Sequence, residues 1–106
     1  MNPIIQTKIE GQISNNKIMI YMKGTPNAPQ CGFSAATVQI FKSFGTPFET
    51  ADILQDPDLR QGIKEFSNWP TIPQVYINGE FIGGCDIVME MHKRGELEPI
   101  AKEAIN

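Results

Sequence analysis

Two cysteines, Cys31 and Cys85, and one histidine, His92, are the side chains of this 106-residue chain best suited to nucleophilic or soft-metal chemistry. They cannot form a structural zinc site, which takes four ligands in paired spacings. Cys31 is the more telling cysteine. Pro29 stands just before it and Gly32-Phe33-Ser34 just after it, where a loop gives way to a helical pattern. The first backbone N–H groups of a helix have no intrahelical partner and carry the positive end of its dipole, and both favour a thiolate. Each unit of pKa depression takes about 1.4 kcal/mol, whereas a helix terminus supplies about 0.3–1 kcal/mol. The dipole alone falls short of a large shift, so a cation is expected nearby. Lys23 is the candidate. A thiolate is both the nucleophile and the metal ligand.

For an isolated cysteine the plainer reading is a buried structural residue. Its place at a loop–helix junction favours the functional reading here. Ser34 sharpens the chemistry. It stands three positions after Cys31, where a second cysteine would resolve a mixed disulfide. A hydroxyl can donate to a thiolate but cannot attack a disulfide, so an outside thiol or Cys85 must do that work.

The rest of the chain excludes several function classes. A net charge of -3 with no basic run argues against nucleic-acid and anionic-membrane partners, which need clustered Lys and Arg. No apolar window approaches the ~20 residues of a membrane span. Met1-Asn2-Pro3-Ile4-Ile5-Gln6 resembles no signal or transit peptide. A secreted domain of this size would carry more, closely spaced cysteines. One soluble, cytoplasmic domain over residues 1–106 is expected.

The elements that must position Cys31 follow from periodicity and caps. Asn2-Pro3 is an N-cap and first-turn pair, and Ile5, Ile9 and Ile13 predict a helix over 3–14. Ile18 to Met22 reads as a strand covered on both faces. Residues 23–30 read as a loop. Thr37, Val38, Phe41 and Phe44 predict a helix up to Gly45, and 48–51 a strand. Asp56-Pro57 opens a helix to about Phe66. Residues 74–77 and 80–82 read as strands joined by Asn78-Gly79, which favours a type I′ turn. Ile87, Val88 and Met91 predict a helix ending near Gly95, and a last helix covers 96–104. A βαβ unit followed by a hairpin makes a four-stranded mixed sheet flanked by helices on both faces, an α/β architecture of the thioredoxin-like kind.

Lys23-Gly24-Thr25-Pro26-x-x-Pro29-x-Cys31-Gly32-Phe33-Ser34 resembles the signature of the monothiol glutaredoxins of the Cys-Gly-Phe-Ser class. Trp69-Pro70-Thr71-Ile72-Pro73-Gln74 and Gly83-Gly84-Cys85-Asp86 are similar to that family's second and third motifs, at matching spacing. The chain is similar to its short single-domain members.

The resemblance implies a glutathione groove. Lys23 and Arg60 would hold the glycine carboxylate, Arg60 through its planar fork; without the resemblance, Arg60 reads as a solvated helix-face residue. Ile72-Pro73 would be cis, presenting the Ile72 backbone to the glutathione cysteine as an added strand; an ordinary trans turn is the plainer reading. Gly83-Gly84 would free the N–H groups of Cys85 and Asp86 for the γ-glutamyl carboxylate, with the Asp86 side chain on the ammonium. Asp86 also reads as a plain N-cap. Cys85 either contributes its backbone or forms a disulfide with Cys31.

The resemblance further implies a [2Fe–2S] cluster bridged between two chains. Such a cluster takes four thiolates, and Cys31 of each chain with two glutathione molecules completes the count. A homodimer when cluster-bound, a BolA-like partner and apo iron–sulfur clients go with that reading. The alternative is a glutathione-dependent thiol–disulfide oxidoreductase using Cys31 alone; in the resembling class, a long loop before the cysteine goes with weak turnover. An adaptor without chemistry ranks last. Met19, Met22, Met89 and Met91 read as core packing, His92 as an exposed residue, and Trp69 as packing beneath the groove.

Overall fold

A computed structural model describes residues 1–106. Helix α1 (Pro3–Asn15) starts on the Asn2 cap, whose side chain accepts from the Ile4 N–H at 2.8 Å. Strand β1 (Ile18–Met22) follows, then two short strands, β2 (Gly24–Thr25) and β3 (Ala28–Pro29). Helix α2 (Gly32–Phe44) ends on Gly45 in the left-handed conformation, a φ that glycine adopts without a Cβ clash. Strand β4 (Glu49–Asp52) leads to α3 (Pro57–Ser67), capped by Asp56, which accepts from Leu59 N–H at 3.1 Å. Strands β5 (Gln74–Ile77) and β6 (Glu80–Gly83) form a hairpin, and α4 (Cys85–Lys93) and α5 (Leu97–Ile105) close the chain.

The main sheet has the order β4-β1-β5-β6. β1 runs parallel to β4 and antiparallel to β5, and β6 is antiparallel to β5. Asn78 and Gly79 both have positive φ, as a type I′ turn requires. This is the expected thioredoxin-like fold.

Why every residue of β1 is buried follows from the period of a strand. Ile18, Ile20 and Met22 face one core with Val38 and Phe41 of α2, Val88 of α4 and Leu97 of α5. Met19 and Tyr21 face the other, with Ile5 and Ile9 of α1 and Leu59 and Ile63 of α3. So α2, α4 and α5 cover one face, and α1 and α3 the other.

Two expectations are corrected. Residues 23–30 are not a plain loop: Gly24 pairs with Pro29 and Thr25 with Ala28. Lys42 Nζ donates to the Pro26 carbonyl at 2.9 Å, tying this small hairpin to α2. Met89 is not a core residue, since 42% of it is exposed. It lies on the outer side of α4, whereas Met19 and Met22 are buried as expected.

Candidate functional site

The N-termini of α2 and α4 open onto one cleft of about 490 Å³. The residues expected to form the groove all line it: Lys23, Cys31, Arg60, Ile72, Pro73, Cys85 and Asp86. They come from β1's end, two helix starts, one helix face and a loop.

Cys31 is the N-cap of α2, with extended φ of -156° and ψ of 135°. Its carbonyl accepts the first helical bond, from Ala35 N–H at 2.9 Å. The N–H groups of Gly32, Phe33 and Ser34 therefore lack helical acceptors. Its thiol is held below the ordinary cysteine range, foremost by the Ser34 backbone N–H. Partial burial opposes this, and the Phe33 N–H, the Lys23 charge and the Ser34 hydroxyl assist it. The expected cation, Lys23, does contribute, but it ranks behind the backbone N–H groups of Ser34 and Phe33.

Ser34 is fully buried, and its hydroxyl oxygen accepts from the Lys23 N–H at 3.1 Å. Helix α4 is built alike. Gly84 is its N-cap, no side chain caps it, and its first helical bond runs from Val88 N–H to the Gly84 carbonyl at 3.1 Å. The N–H groups of Cys85, Asp86 and Ile87 are left without helical acceptors at the cleft. Asp86 is therefore not the N-cap; it sits inside the first turn, exposed and outside any ion pair.

Both cysteines are free thiols. Cys85 is only 7% exposed, and its sulfur lies 3.5 Å from Met89 Sδ. The Ile72–Pro73 bond is cis, and neither the N–H nor the carbonyl of Ile72 has a hydrogen-bond partner within the chain.

Lys64 also lines the cleft and escaped notice in the sequence. The signal was there: it lies four residues after Arg60, so the two share a helix face. Neither is ion-paired. Lys23, Arg60 and Lys64 against Asp86 give the cleft a positive balance in a chain of net charge -3. Trp69 both lines the cleft and packs on Phe81, ring centroids 5.8 Å apart. Its indole Nε1 is buried without a partner. Phe33, 63% exposed, stands beside Cys31 at the rim.

A free thiol at the start of α2, lining one cleft with a cis X–Pro bond, on this four-stranded sheet, places the molecule among the thioredoxin-like thiol proteins. The glutaredoxin family pattern matches residues 18–82. A monothiol glutaredoxin of the ycf64-like type from Synechocystis is 54% identical over 105 residues, covering 99% of this chain and 98% of that one. The chain belongs to the glutaredoxin family, and Ser34 puts it in the monothiol branch. Among solved structures, reduced apo GrxS14 from poplar is similar with a TM-score of 0.84 and 50% identity, over 97% of this chain and 94% of that one. A buckwheat glutaredoxin–glutathione complex is similar with a TM-score of 0.84 and 27% identity, over 95% and 90%.

Proposed function

We propose that the cleft binds glutathione and that the protein carries a [2Fe–2S] cluster between two copies of the chain, delivering it to apo iron–sulfur proteins, with a BolA-like protein as a further partner. The observation that carries this reading is the count of available sulfurs. Cys31 is the accessible thiol, Cys85 is 7% exposed, and no group of three or more His, Cys, Asp or Glu side chains is placed to hold a metal. A cluster takes four thiolates. A cargo of that kind therefore fits only if Cys31 from each chain is joined by two outside thiols, and the cleft beside Cys31 suits the tripeptide that brings one.

Glutathione carries two carboxylates, one ammonium and a thiol. Arg60 and Lys23 would hold the glycine carboxylate, with Lys64 beside them. The unpartnered backbone of Ile72 suits the cysteine residue as an added strand. The free N–H groups of Cys85 and Asp86 would take the γ-glutamyl carboxylate, and the Asp86 carboxylate the ammonium. Likeness to a glutaredoxin–glutathione complex supports this placement.

The lowered thiol pKa of Cys31 favours a second activity from the same site. The Cys31 thiolate attacks the glutathione sulfur of a glutathionylated protein, forming a Cys31–glutathione disulfide and releasing the protein thiolate. A second glutathione thiolate attacks that disulfide, giving glutathione disulfide and restoring the Cys31 thiolate. One cysteine suffices.

Anaerobic reconstitution with iron, sulfide and glutathione tests the first reading by visible spectrum and size-exclusion mass. A coloured dimer that needs both glutathione and Cys31 is expected. A colourless monomer, in wild type as in Cys31→Ser, would overturn the carrier reading and leave the oxidoreductase.

A further inference from the structure

At the end of β4, outside the cleft, a carboxylate is spent on backbone rather than on a cation. Asp52 Oδ1 accepts from the Gly24 N–H at 2.9 Å and from the Leu54 N–H at 3.0 Å. It takes part in none of the three ion pairs of the chain. Asp52 stands opposite Met22 in the parallel β1–β4 register, and the Ile53 N–H donates to the Met22 carbonyl at 3.0 Å. The backbone ladder ends there. The Asp52 side chain then takes the place of a carbonyl and receives the next donor beyond it, Gly24.

Gly24 opens β2 in a left-handed backbone conformation, two residues before the Pro26-Asn27 turn. Its φ is +88°, and a Cβ there would lie 2.5 Å from the Ala28 carbonyl oxygen and 2.7 Å from the Gln30 nitrogen. The backbone around Lys23 is consequently held at three successive points. Its own N–H donates to Ser34 Oγ, its carbonyl accepts from the Gln30 N–H at 2.9 Å, and the N–H after it is held by Asp52. The Lys23 side chain leaves from the middle of this anchorage to line the cleft with Cys31.

We propose that Asp52 is a positioning residue, holding Gly24 so that the Lys23 ammonium stays beside Cys31. This deepens the proposed function, since it concerns the cation of the same site, but its test requires neither glutathione nor a cluster. The carboxylate acts by where its oxygen sits, and its negative charge by itself works against an anion at the cleft. Geometry and charge therefore predict opposite signs.

The readout is the ratio of Cys31 alkylation rates with iodoacetate, an anion, and iodoacetamide, a neutral analogue, at one pH and low ionic strength. Each reagent forms the S–C bond and releases iodide. The fraction of thiolate cancels in the ratio, which leaves the local potential. Adducts are assigned to Cys31 by peptide mass. Lys23→Met should lower the ratio by about twofold or more at low salt. Asp52→Ala should lower it towards the Lys23→Met value despite the lost negative charge, and should have no further effect in the Lys23→Met background. Asp52→Glu, which keeps the charge but displaces the oxygen, should also lower it and serves if Asp52→Ala does not fold. Asp52→Asn, which keeps an oxygen acceptor, should match or exceed wild type. An Asp52→Glu ratio equal to wild type, or a Lys23→Met ratio equal to wild type, would overturn the proposal. So would equal falls from Asp52→Ala in both backgrounds. A protein that passes this test yet binds no glutathione would refute the proposed function and leave the role of Asp52 standing.

Discussion

The Lys23 N–H donates to the Ser34 hydroxyl oxygen across 3.1 Å, joining the end of β1 to the first turn of α2 beneath Cys31. With that oxygen engaged as an acceptor, the hydroxyl proton is free to point at the Cys31 sulfur. The residue that replaces a resolving cysteine therefore still acts on the thiol. It does so by orienting a donor rather than by attacking a disulfide.

Ser34→Ala should move the midpoint of Cys31 alkylation against pH upwards. It should remain below that of an ordinary cysteine, because the Ser34 backbone N–H, the foremost cause of the depression, is retained. A depressed thiol pKa adds stability that is present above the unfolded value, about 8.5, and lost as pH falls through the folded value. The stability deficit of the variant should therefore be larger at alkaline pH than at acid pH. A pH-independent part of about 1 kcal/mol comes from the unpaired Lys23 N–H. An unshifted alkylation midpoint would show that the hydroxyl does not reach the sulfur.

Arg60 and Lys64 stand one helical turn apart on the cleft wall, and neither has an acidic partner. Replacing either by Gln should weaken glutathione binding by about tenfold, which is about 1.4 kcal/mol and close to the lower end of the roughly 1.5–3 kcal/mol of a hydrogen bond to a charged group. Added salt should shrink the difference. Calorimetric titration decides it, with Lys102→Gln on α5 as the control that should bind like wild type. An Arg60→Gln protein with undiminished affinity would remove the carboxylate from this wall.

Gly62 lies in α3 where α1 crosses it. Alanine is the better helix former by about 1 kcal/mol, yet a Cβ here would overlap Ile5 Cγ2 and come within 3.5 Å of Ile9 Cδ1. The overlapping methyl belongs to a β-branched side chain with little rotamer freedom. Gly62→Ala should therefore destabilise the fold by about 1–2 kcal/mol net in denaturant unfolding. A gain in stability would mean that α1 yields easily.

Lys8 Nζ lies 2.9 Å from Asp56 Oδ2, linking α1 to the cap of α3. The Asp56 carboxyl is held below the usual carboxylate range, first by the hydrogen bond from Lys8 and then by the Leu59 N–H. A depressed carboxylate adds stability above its unfolded pKa, about 3.9, and loses it as pH falls through the folded value. Lys8→Met should cost less than about 1 kcal/mol at neutral pH, as exposed pairs do. The gap should close once Asp56 is protonated, and a gap that persists in acid would assign the loss to packing of the Lys8 stem instead.

The helices, the four strands of the main sheet and the candidate site were legible in the sequence because they are written locally. Asn2-Pro3 and Asp56-Pro57 announce helix starts, and Asn78-Gly79 announces a hairpin, each through the conformations those residues adopt alone. Cys31 before Gly32-Phe33-Ser34 places a thiol at unpaired N–H groups, whatever packs around it. The three motifs located residues that the fold then gathers into one cleft. Lys64 needed only the helical period, applied once more from Arg60.

What the tertiary structure alone decided concerns groups whose partners are far away along the chain. The first residue of the β2–β3 hairpin, Gly24, has its N–H held by Asp52, 28 residues distant. Spacing cannot show whether a thiolate answers first to backbone N–H groups or to Lys23, because that depends on distance and direction. The exposure of Met89 depends on which side of α4 meets the sheet, and methionine serves either surface. Local conformational preference sets the elements and the thiol's position at a helix start. Long-range hydrogen bonds and packing decide which charges reach that thiol and what holds them there.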